Sequence, residues 1–304
     1  MTRAWAVALV AAAVAVAGGA ARADAATEGP EPSVERFDIG APARGGSFPV
    51  AVQPARLLLG EAETAAVRAE LPDEIESVRA TAALGEIVGA KVEGGVLTAR
   101  YRAPEVYVPQ LDLIAVTGEV DGEPRVGFAA VQLVGQGKAV IRTRPRVEAV
   151  IDIRGVLFGP VRADRRGRAR IRVMVPPGTP SGIDGEGREV DLEVPAACRV
   201  FAVPARRRVT RGGPDATIFV VVLDATGVRG VAQEVEITAA PGEVSPPEQV
   251  EAGLYRATYT PPPPAGDGAA EPVPAEAVLR LLLPGEGEPE RELRLTLAAP
   301  AAKP

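Results

Sequence analysis

Arginines at alternate positions are the residues of this sequence best suited to chemistry. Arg168, Arg170 and Arg172 stand at positions i, i+2 and i+4. A β-strand over this stretch would present all three guanidinium groups on one face. Guanidinium groups form bidentate contacts with carboxylates and phosphates, so such a row could hold an anionic polymer. The sequence predicts an anion-binding surface made of Arg162, Arg165, Arg166, Arg168, Arg170 and Arg172.

The wider run from residue 142 to residue 172 contains ten arginines against three acidic residues. One interpretation is a site for a polyanion, such as acidic polysaccharide, lipopolysaccharide or extracellular DNA. The other is a solvated face in a chain with only three lysines, or a surface docked on an acidic neighbouring domain. The same two interpretations hold for Arg206, Arg207, Arg208 and Arg211.

The composition argues against an enzyme. The chain contains no histidine, the usual general base near neutral pH. This excludes Ser–His–Asp and Cys–His sites, and zinc sites built from histidine or several cysteines. A carboxylate pair could still cleave glycosides, but with 40 acidic residues the closeness of two in sequence is uninformative. No catalytic residue, cofactor or metal site is therefore predicted.

Two further sets of residues could carry chemistry. Asp184, Glu186, Glu189 and Asp191 offer oxygen atoms that could bind calcium, but their spacing fits no known loop. We therefore expect residues 178–188 to form an exposed loop. The single cysteine, Cys198, allows no disulfide within the chain, and we expect it to be a buried apolar residue, with an intermolecular disulfide as the alternative.

The N-terminus has the layout of a secretory signal peptide. A short charged start precedes an apolar stretch too short to span a membrane, and both Ala21-Arg22-Ala23 and Ala23-Asp24-Ala25 fit a cleavage site. Residues 1–23 are therefore predicted to be a signal peptide and residues 24–47 a flexible leader rich in proline, glycine and charge. Residues 285–304 contain no apolar tail, so no C-terminal anchor is expected.

Short stretches with period-two alternation predict antiparallel strands from residue 48 onward. Residues 64–71, for example, place Ala65, Val67, Ala69 and Leu71 on one face. Glycine or proline interrupts every 8 to 12 residues, as in a β-sandwich. The predicted fold class is all-β, with tandem immunoglobulin (Ig)-like β-sandwich domains and a shorter β-rich middle segment.

An internal repeat divides the chain. Residues 92–104 (VEGGVLTARYRAP) resemble residues 250–262 (VEAGLYRATYTPP), and Tyr101 aligns with Tyr259. The two tyrosines are expected at equivalent places, as corner tyrosines. The predicted domains are 48–136, its repeat 197–300, and a β-rich middle domain 137–196.

The second copy resembles a bacterial Ig-like domain of the invasin/intimin type. Residues 216–227 (ATIFVVVLDATG), 231–240 and 253–261 (GLYRATYTP) carry the resemblance. The first copy departs from it, with Leu71-Pro72-Asp73 where the family has an Asp-x-x-Gly turn. Members of this family serve as spacers, adhesins and accessory modules, so the resemblance implies a class of role and no reaction.

These observations predict an exported, non-enzymatic structural or interaction protein, with polyanion binding through residues 142–172 as the alternative function. Its location would be periplasmic, cell-surface or extracellular. The expected partner is an unknown protein or envelope polymer. No nucleic acid inside the cell is expected as a partner. The mature chain is expected to be monomeric and to lack a transmembrane span.

Overall fold

The computed structural model describes residues 33–60, 64–264, 274–284 and 291–299. These residues form 23 β-strands and one short 3-10 helix, Val34–Arg36. The protein is all-β, with Ig-like sandwiches and a β-rich middle segment. In the part of the chain described, no helix is long and apolar enough to cross a membrane. The predicted signal peptide, residues 1–23, lies outside the described residues.

Nine strands of the first half form a sandwich of two sheets. Their bounds are β1 Arg44–Gly46, β2 Val50–Gln53, β3 Arg56–Leu58, β4 Thr64–Glu70, β5 Glu76–Ala82, β6 Glu86–Glu93, β7 Val96–Arg102, β8 Gln110–Val120 and β9 Glu123–Arg142. One sheet has the order β2-β4-β7-β6, and the other contains β3, β9, β8 and β5, with β1 beside β9. Their inward side chains meet in one apolar cluster that includes Val67, Leu97 and Ile114.

Five strands form the middle segment. They are β10 Glu148–Ile153, β11 Val156–Arg162, β12 Arg168–Val175, β13 Ser181–Asp184 and β14 Glu189–Asp191. The sheet β11-β10-β13-β14 packs against a ladder formed by β12 and the end of β9. Strand β9 thus runs through position 137 and serves both the first sandwich and the middle segment. The domain bounds inferred from the sequence stay a prediction.

The last strands form a second sandwich with the strand order of the first. Their bounds are β15 Val200–Pro204, β16 Arg208–Thr210, β17 Ala216–Val222, β18 Glu236–Ala240, β19 Glu243–Val244, β20 Glu248–Glu251, β21 Leu254–Thr260, β22 Glu276–Leu282 and β23 Arg291–Ala298. One sheet places β19 and β20 beside β21 in the order β15-β17-β21, and the other runs β16-β23-β22-β18. In each sandwich a short strand, β3 or β16, pairs parallel with the last strand. This distribution matches the two sheets of a constant-type Ig domain.

The aligned tyrosines occupy equivalent strands, as the repeat implies. Tyr101 lies on β7 and Tyr259 on β21, and both are fully buried. Their hydroxyl groups have different partners, since Tyr101 donates to Asp112 and Tyr259 to the carbonyl of Pro241. The expectation of corner tyrosines was wrong, because a corner tyrosine lies near the start of the strand that follows, β8 or β22 in these sandwiches, and not on β7 or β21.

The two sandwiches pack face to face. The outer side of the β9/β8 sheet lies against the outer side of the β15/β17/β21 sheet, and the side chains between them are buried. We call this set the interface cluster: Ala43, Leu111, Leu113, Ala115, Val126, Phe128, Ala130, Ala197, Phe201, Val203, Phe219, Val221, Leu223 and Leu254. Strands β8 and β17 are consequently buried on both faces, because their alternate side chains line a sandwich core and the interface.

Polar contacts also join the two sandwiches. The guanidinium of Arg206 donates to Glu119 at 2.8 Å, joining the last sandwich to the first. The side-chain amide of Gln132 donates to the carbonyl of Thr226 at 2.9 Å. The backbone N–H of Ala43 donates to the carbonyl of Gly227 at 2.7 Å. These bonds fix the relative position of the two sandwiches.

The prediction of a flexible leader over residues 24–47 was wrong for residues 33–47; residues 24–32 lie outside the described residues. Phe37 and Ile39 are buried in the core of the middle segment. Arg56 donates to the carbonyls of Val34, Phe37 and Gly40 at 2.9, 3.4 and 3.0 Å. The leader is ordered because two apolar side chains and a buried guanidinium hold it.

Candidate functional site

The arginine row predicted from the sequence lies on the ladder of β9 and β12. Inward residues of this ladder, such as Ile141 and Ile171, enter the core of the middle segment. The alternate residues point outward and are exposed. We call the charged members of this set the basic strand face: Lys138 and Arg142 on β9, and Arg168, Arg170 and Arg172 on β12.

Like charges stand opposite one another across the ladder. The antiparallel register places Arg168 against Arg142 and Arg172 against Lys138. Directly opposed side chains in such a ladder have Cβ atoms about 5 Å apart, and like charges there destabilise the sheet. Within the described residues, Arg168 has an ion pair, to Asp164 at 3.5 Å, whereas the other four cations have none. The basic strand face therefore carries uncompensated positive charge.

Some exposed arginines on other ladders of the protein are paired with acids. Across β22 and β23, Arg280 contacts Glu292 at 3.4 Å and Arg294 contacts Glu276 at 3.5 Å. On the first sandwich, Arg102 of β7 contacts Glu86 of β6 at 3.2 Å. Arg68 and Arg100 also lack an ion pair among the described residues, but they stand opposite Thr98 and Ala66. The basic strand face differs because four of its cations stand opposite like charges.

The structure brings together part of the predicted anion-binding set. Arg168, Arg170 and Arg172 share one face, as expected, and Arg165 and Arg166 lie in the exposed turn before them. Arg162 lies apart, on β11 of the opposing sheet, where it stands opposite Glu148. Lys138 lies outside the predicted run of residues 142–172, and Arg142 was counted in that run but not in the six-residue set. Their alternation with buried Ala139 and Ile141 was the signal that could have found them.

The turn before β12 is held by Asp164. Its carboxylate accepts hydrogen bonds from the backbone N–H groups of Arg166 and Arg168, at 2.8 and 2.9 Å. The backbone bond from Arg168, followed by that from Arg166 and the charge of Arg168, lowers the pKa of Asp164. The carboxylate therefore stays ionised, and it partly neutralises the Arg168 end of the face.

Residues 178–188 do not form the exposed loop expected from the sequence. Strand β13 lies within them, and Asp184 is 6% exposed. Burial alone would raise the pKa of Asp184, but hydrogen bonds from the backbone and side chain of Arg188, and from the backbone of Glu186, lower it. The carboxylate thus closes a turn. Among the described residues, no group of three or more acidic or cysteine side chains is placed to hold a metal ion.

A small cleft adjoins the Lys138 end of the basic strand face. It has a volume of about 140 Å³ and lies between the loop before β8 and the end of β9. Tyr107, Gln136, Lys138 and Glu193 are among the residues that line it, so the cleft contains one side chain of each charge. Tyr107 is 72% exposed, so its ring is accessible beside a cationic side chain.

The other candidate residues lie in the last sandwich or just before it, and three of them make contacts within the fold. Arg206 joins the two sandwiches, and Arg211 is nearly buried and donates to the carbonyl of Pro274 at 2.7 Å. Arg207 and Arg208 are exposed. Cys198 is half-buried, and Arg291 donates to its sulfur at 2.8 Å.

The most buried carboxylate, Asp112, lies inside the first sandwich. It accepts hydrogen bonds from Tyr101 at 2.6 Å and from the backbone N–H groups of Ala83, Leu84 and Gly85. Burial raises the pKa of Asp112, and these donors only partly oppose that effect. The group anchors the turn between β5 and β6 and has no access to solvent.

No protein-family model and no curated protein matches this chain. Among solved structures, InvD of Yersinia pseudotuberculosis is 13% identical, with a TM-score of 0.25 over 84% of this chain and 60% of that one. An ICAM-5 D1–D4 fragment is 13% identical, with a TM-score of 0.24 over 83% and 77%. The Yersinia pseudotuberculosis adhesin InvE gives 13% and a TM-score of 0.22 over 82% and 58%. Similarities with such low TM-scores carry no information about function. Membership of the invasin/intimin type stays a prediction.

Proposed function

We propose that this chain is an exported, non-enzymatic structural or interaction protein, in which paired Ig-like sandwiches form a rigid scaffold for binding surfaces. Adhesion or spacing is the role that such a scaffold fits. The observation that carries the proposal is the interface cluster, which joins the first sandwich to the last through buried apolar side chains.

A rigid scaffold follows from the physics of that interface. Interfaces between domains of one chain are usually polar, and they allow relative motion unless they are large and hydrophobic. Here a hinge opening would expose side chains such as Phe128, Phe219 and Leu254 to water. Each buried side chain of this size contributes about 1.5–3 kcal/mol. Opening is therefore disfavoured, and the protein would present its outer surfaces at fixed positions.

The chemical inventory supports a binding role over catalysis. The chain has no histidine and one half-buried cysteine, so the common nucleophile–base pairs cannot be built. Asp112, whose pKa is raised, is occupied by Tyr101 and by backbone donors inside a core. It is inaccessible to a substrate.

Export rests on the predicted signal peptide, residues 1–23. Expression of the full chain in a bacterial host should yield a processed product that begins at Asp24, and N-terminal sequencing would identify it. A product that retains Met1 in the cytoplasm would contradict export.

The binding role is tested with the mature chain and washed bacterial envelopes. We expect saturable co-sedimentation with the envelopes and no turnover of their polymers or peptides. Turnover that a single Asp→Asn or Glu→Gln replacement abolishes would overturn the non-enzymatic proposal. If the mature chain co-sediments with the envelopes at none of the salt concentrations, the envelope is removed as the partner.

A further inference from the structure

We propose that the basic strand face binds a linear anionic polysaccharide in an extended conformation. This inference rests on the proposed interaction role and names the chemistry of its partner. It depends on three observations: the spacing of the cations, their lack of acidic partners, and the aromatic cleft at one end.

The geometry of the face fits an extended polymer with repeated anionic groups. Alternate residues of a strand are about 6.7 Å apart, and neighbouring strands about 4.8 Å. Arg168, Arg170 and Arg172 therefore form a row about 13 Å long, with Lys138 and Arg142 beside it on the neighbouring strand. Each guanidinium can donate two parallel hydrogen bonds to a carboxylate or sulfate group. A single small anion would engage only part of this row.

The missing acidic partners point to a ligand. Like-charge pairs across a ladder weaken folding. Elsewhere Arg280, Arg294 and Arg102 contact acids across their ladders. On the basic strand face, Arg170, Arg172, Lys138 and Arg142 have no ion pair in the described part of the chain. A bound polyanion would supply the missing counter-charges. The chain as a whole has a net charge of −6, so a polyanion is attracted by a local basic surface and not by the protein's overall charge.

The side chains around the row favour a polysaccharide over a nucleic acid. Single-stranded nucleic acids are held by aromatic side chains interleaved with the cations, on which successive bases stack. The outward position between Lys138 and Arg142 is instead held by Val140. The exposed ring of Tyr107 lies at one end only, in the cleft that contains Lys138. One tyrosine with a cation beside it suits the terminal contact of a sugar chain, since its ring is apolar and its hydroxyl can hydrogen-bond.

The test compares two matched variants of the mature chain. The first replaces Arg168, Arg170 and Arg172 by glutamine. The control replaces Arg68, Arg100 and Arg102 by glutamine, which removes the same charge from exposed positions on the outer sheet of the first sandwich. Circular dichroism and the urea midpoint establish that both variants fold. Binding to oligomannuronate, to sulfated dextran and to neutral dextran is measured by titration calorimetry at several salt concentrations.

We expect wild-type binding to at least one anionic glycan, no binding to neutral dextran, and weakening with salt. The face variant should lose at least tenfold in affinity, and its salt dependence should become shallower because fewer counterions are displaced. The control should stay within about twofold of wild type. A comparison of the affinities for oligomannuronate and for sulfated dextran then shows whether the face prefers carboxylate or sulfate groups.

Three results would overturn this inference: no binding to either anionic glycan, equal losses in both variants, or equal or tighter binding to single-stranded oligo(dT). If the wild type binds no purified glycan but still co-sediments with envelopes, the polysaccharide proposal fails while the interaction role stands. If co-sedimentation fails as well, the polysaccharide proposal fails and the envelope is removed as the partner.

Discussion

Replacing Phe219 by alanine should destabilise the protein as strongly as a core deletion. Phe219 lies on β17 and points away from the core of its own sandwich. In an isolated sandwich this side chain would be exposed to solvent. In the structure it is 5% exposed, because the sheet of the first sandwich covers it. The cost of its truncation therefore measures whether the two sandwiches pack as described.

The magnitude follows from burial. Truncating a fully buried phenylalanine to alanine costs about 3–5 kcal/mol, from lost transfer free energy and from the cavity left behind. Truncating an exposed side chain changes stability by less than about 0.5 kcal/mol. The loss in the free energy of unfolding caused by Phe219→Ala should therefore be several kcal/mol larger if the two sandwiches pack together than if Phe219 is exposed on a separate sandwich.

The assay is urea-induced unfolding of the mature chain, followed by far-UV circular dichroism and tyrosine fluorescence. The shift in midpoint converts to free energy through the m value. Thr258→Ala, at an exposed position on the adjacent strand β21, is the matched control and should have almost no effect. A Phe219→Ala effect as small as that of the control would refute the face-to-face packing.

Two other substitutions test buried polar groups. Asp112→Asn should lose about 1–3 kcal/mol, because one backbone or tyrosine donor is left without an acceptor. Burial raises the pKa of Asp112 above the unfolded value of about 3.9, so ionisation costs more in the folded state. The wild-type advantage over Asp112→Asn should therefore be largest below about pH 4 and shrink as the pH rises, as urea titrations at several pH values would show; an advantage that grows with pH would contradict this sign. Arg56→Lys keeps the charge but loses the fork of donors to Val34, Phe37 and Gly40. Faster amide hydrogen exchange over residues 34–40 is expected, with exposed Arg36→Lys as the control, and unchanged exchange would contradict the anchoring role.

Much of the strand framework could be predicted from the sequence. Residues 64–70 alternate between exposed and buried positions, because β4 has a core on one side and solvent on the other. The repeat predicted equivalent places for Tyr101 and Tyr259, since both copies keep the same strand order. The row of Arg168, Arg170 and Arg172 was predicted for the same reason, because period two fixes the face.

The contact between the sandwiches could not be found by alternation. Residues 113–116 (LIAV) and 218–223 (IFVVVL) are continuous apolar runs, and such runs indicate strands buried on both faces. The pattern does not say which surface covers the second face. That depends on the complementary outer sheets of two domains distant in sequence.

The ordered leader was hidden by its composition. Proline, glycine and charge dominate residues 24–47, so the local pattern favours a flexible segment. Its order comes from Phe37 and Ile39 in the core of the middle segment, and from Arg56, which bonds to the leader's carbonyl groups. These contacts join residues distant in sequence and leave no local signal.

The most direct test of the scaffold is the distance between the two sandwiches in solution. Spin labels at Thr98→Cys on β7 and Arg294→Cys on β23, in a Cys198→Ser background, place one probe on an exposed strand of each sandwich. Pulsed electron resonance should give one narrow distance distribution, unchanged by moderate salt, because apolar side chains hold the interface. A broad distribution extending to long distances would show two sandwiches that move independently, and would contradict the rigid scaffold.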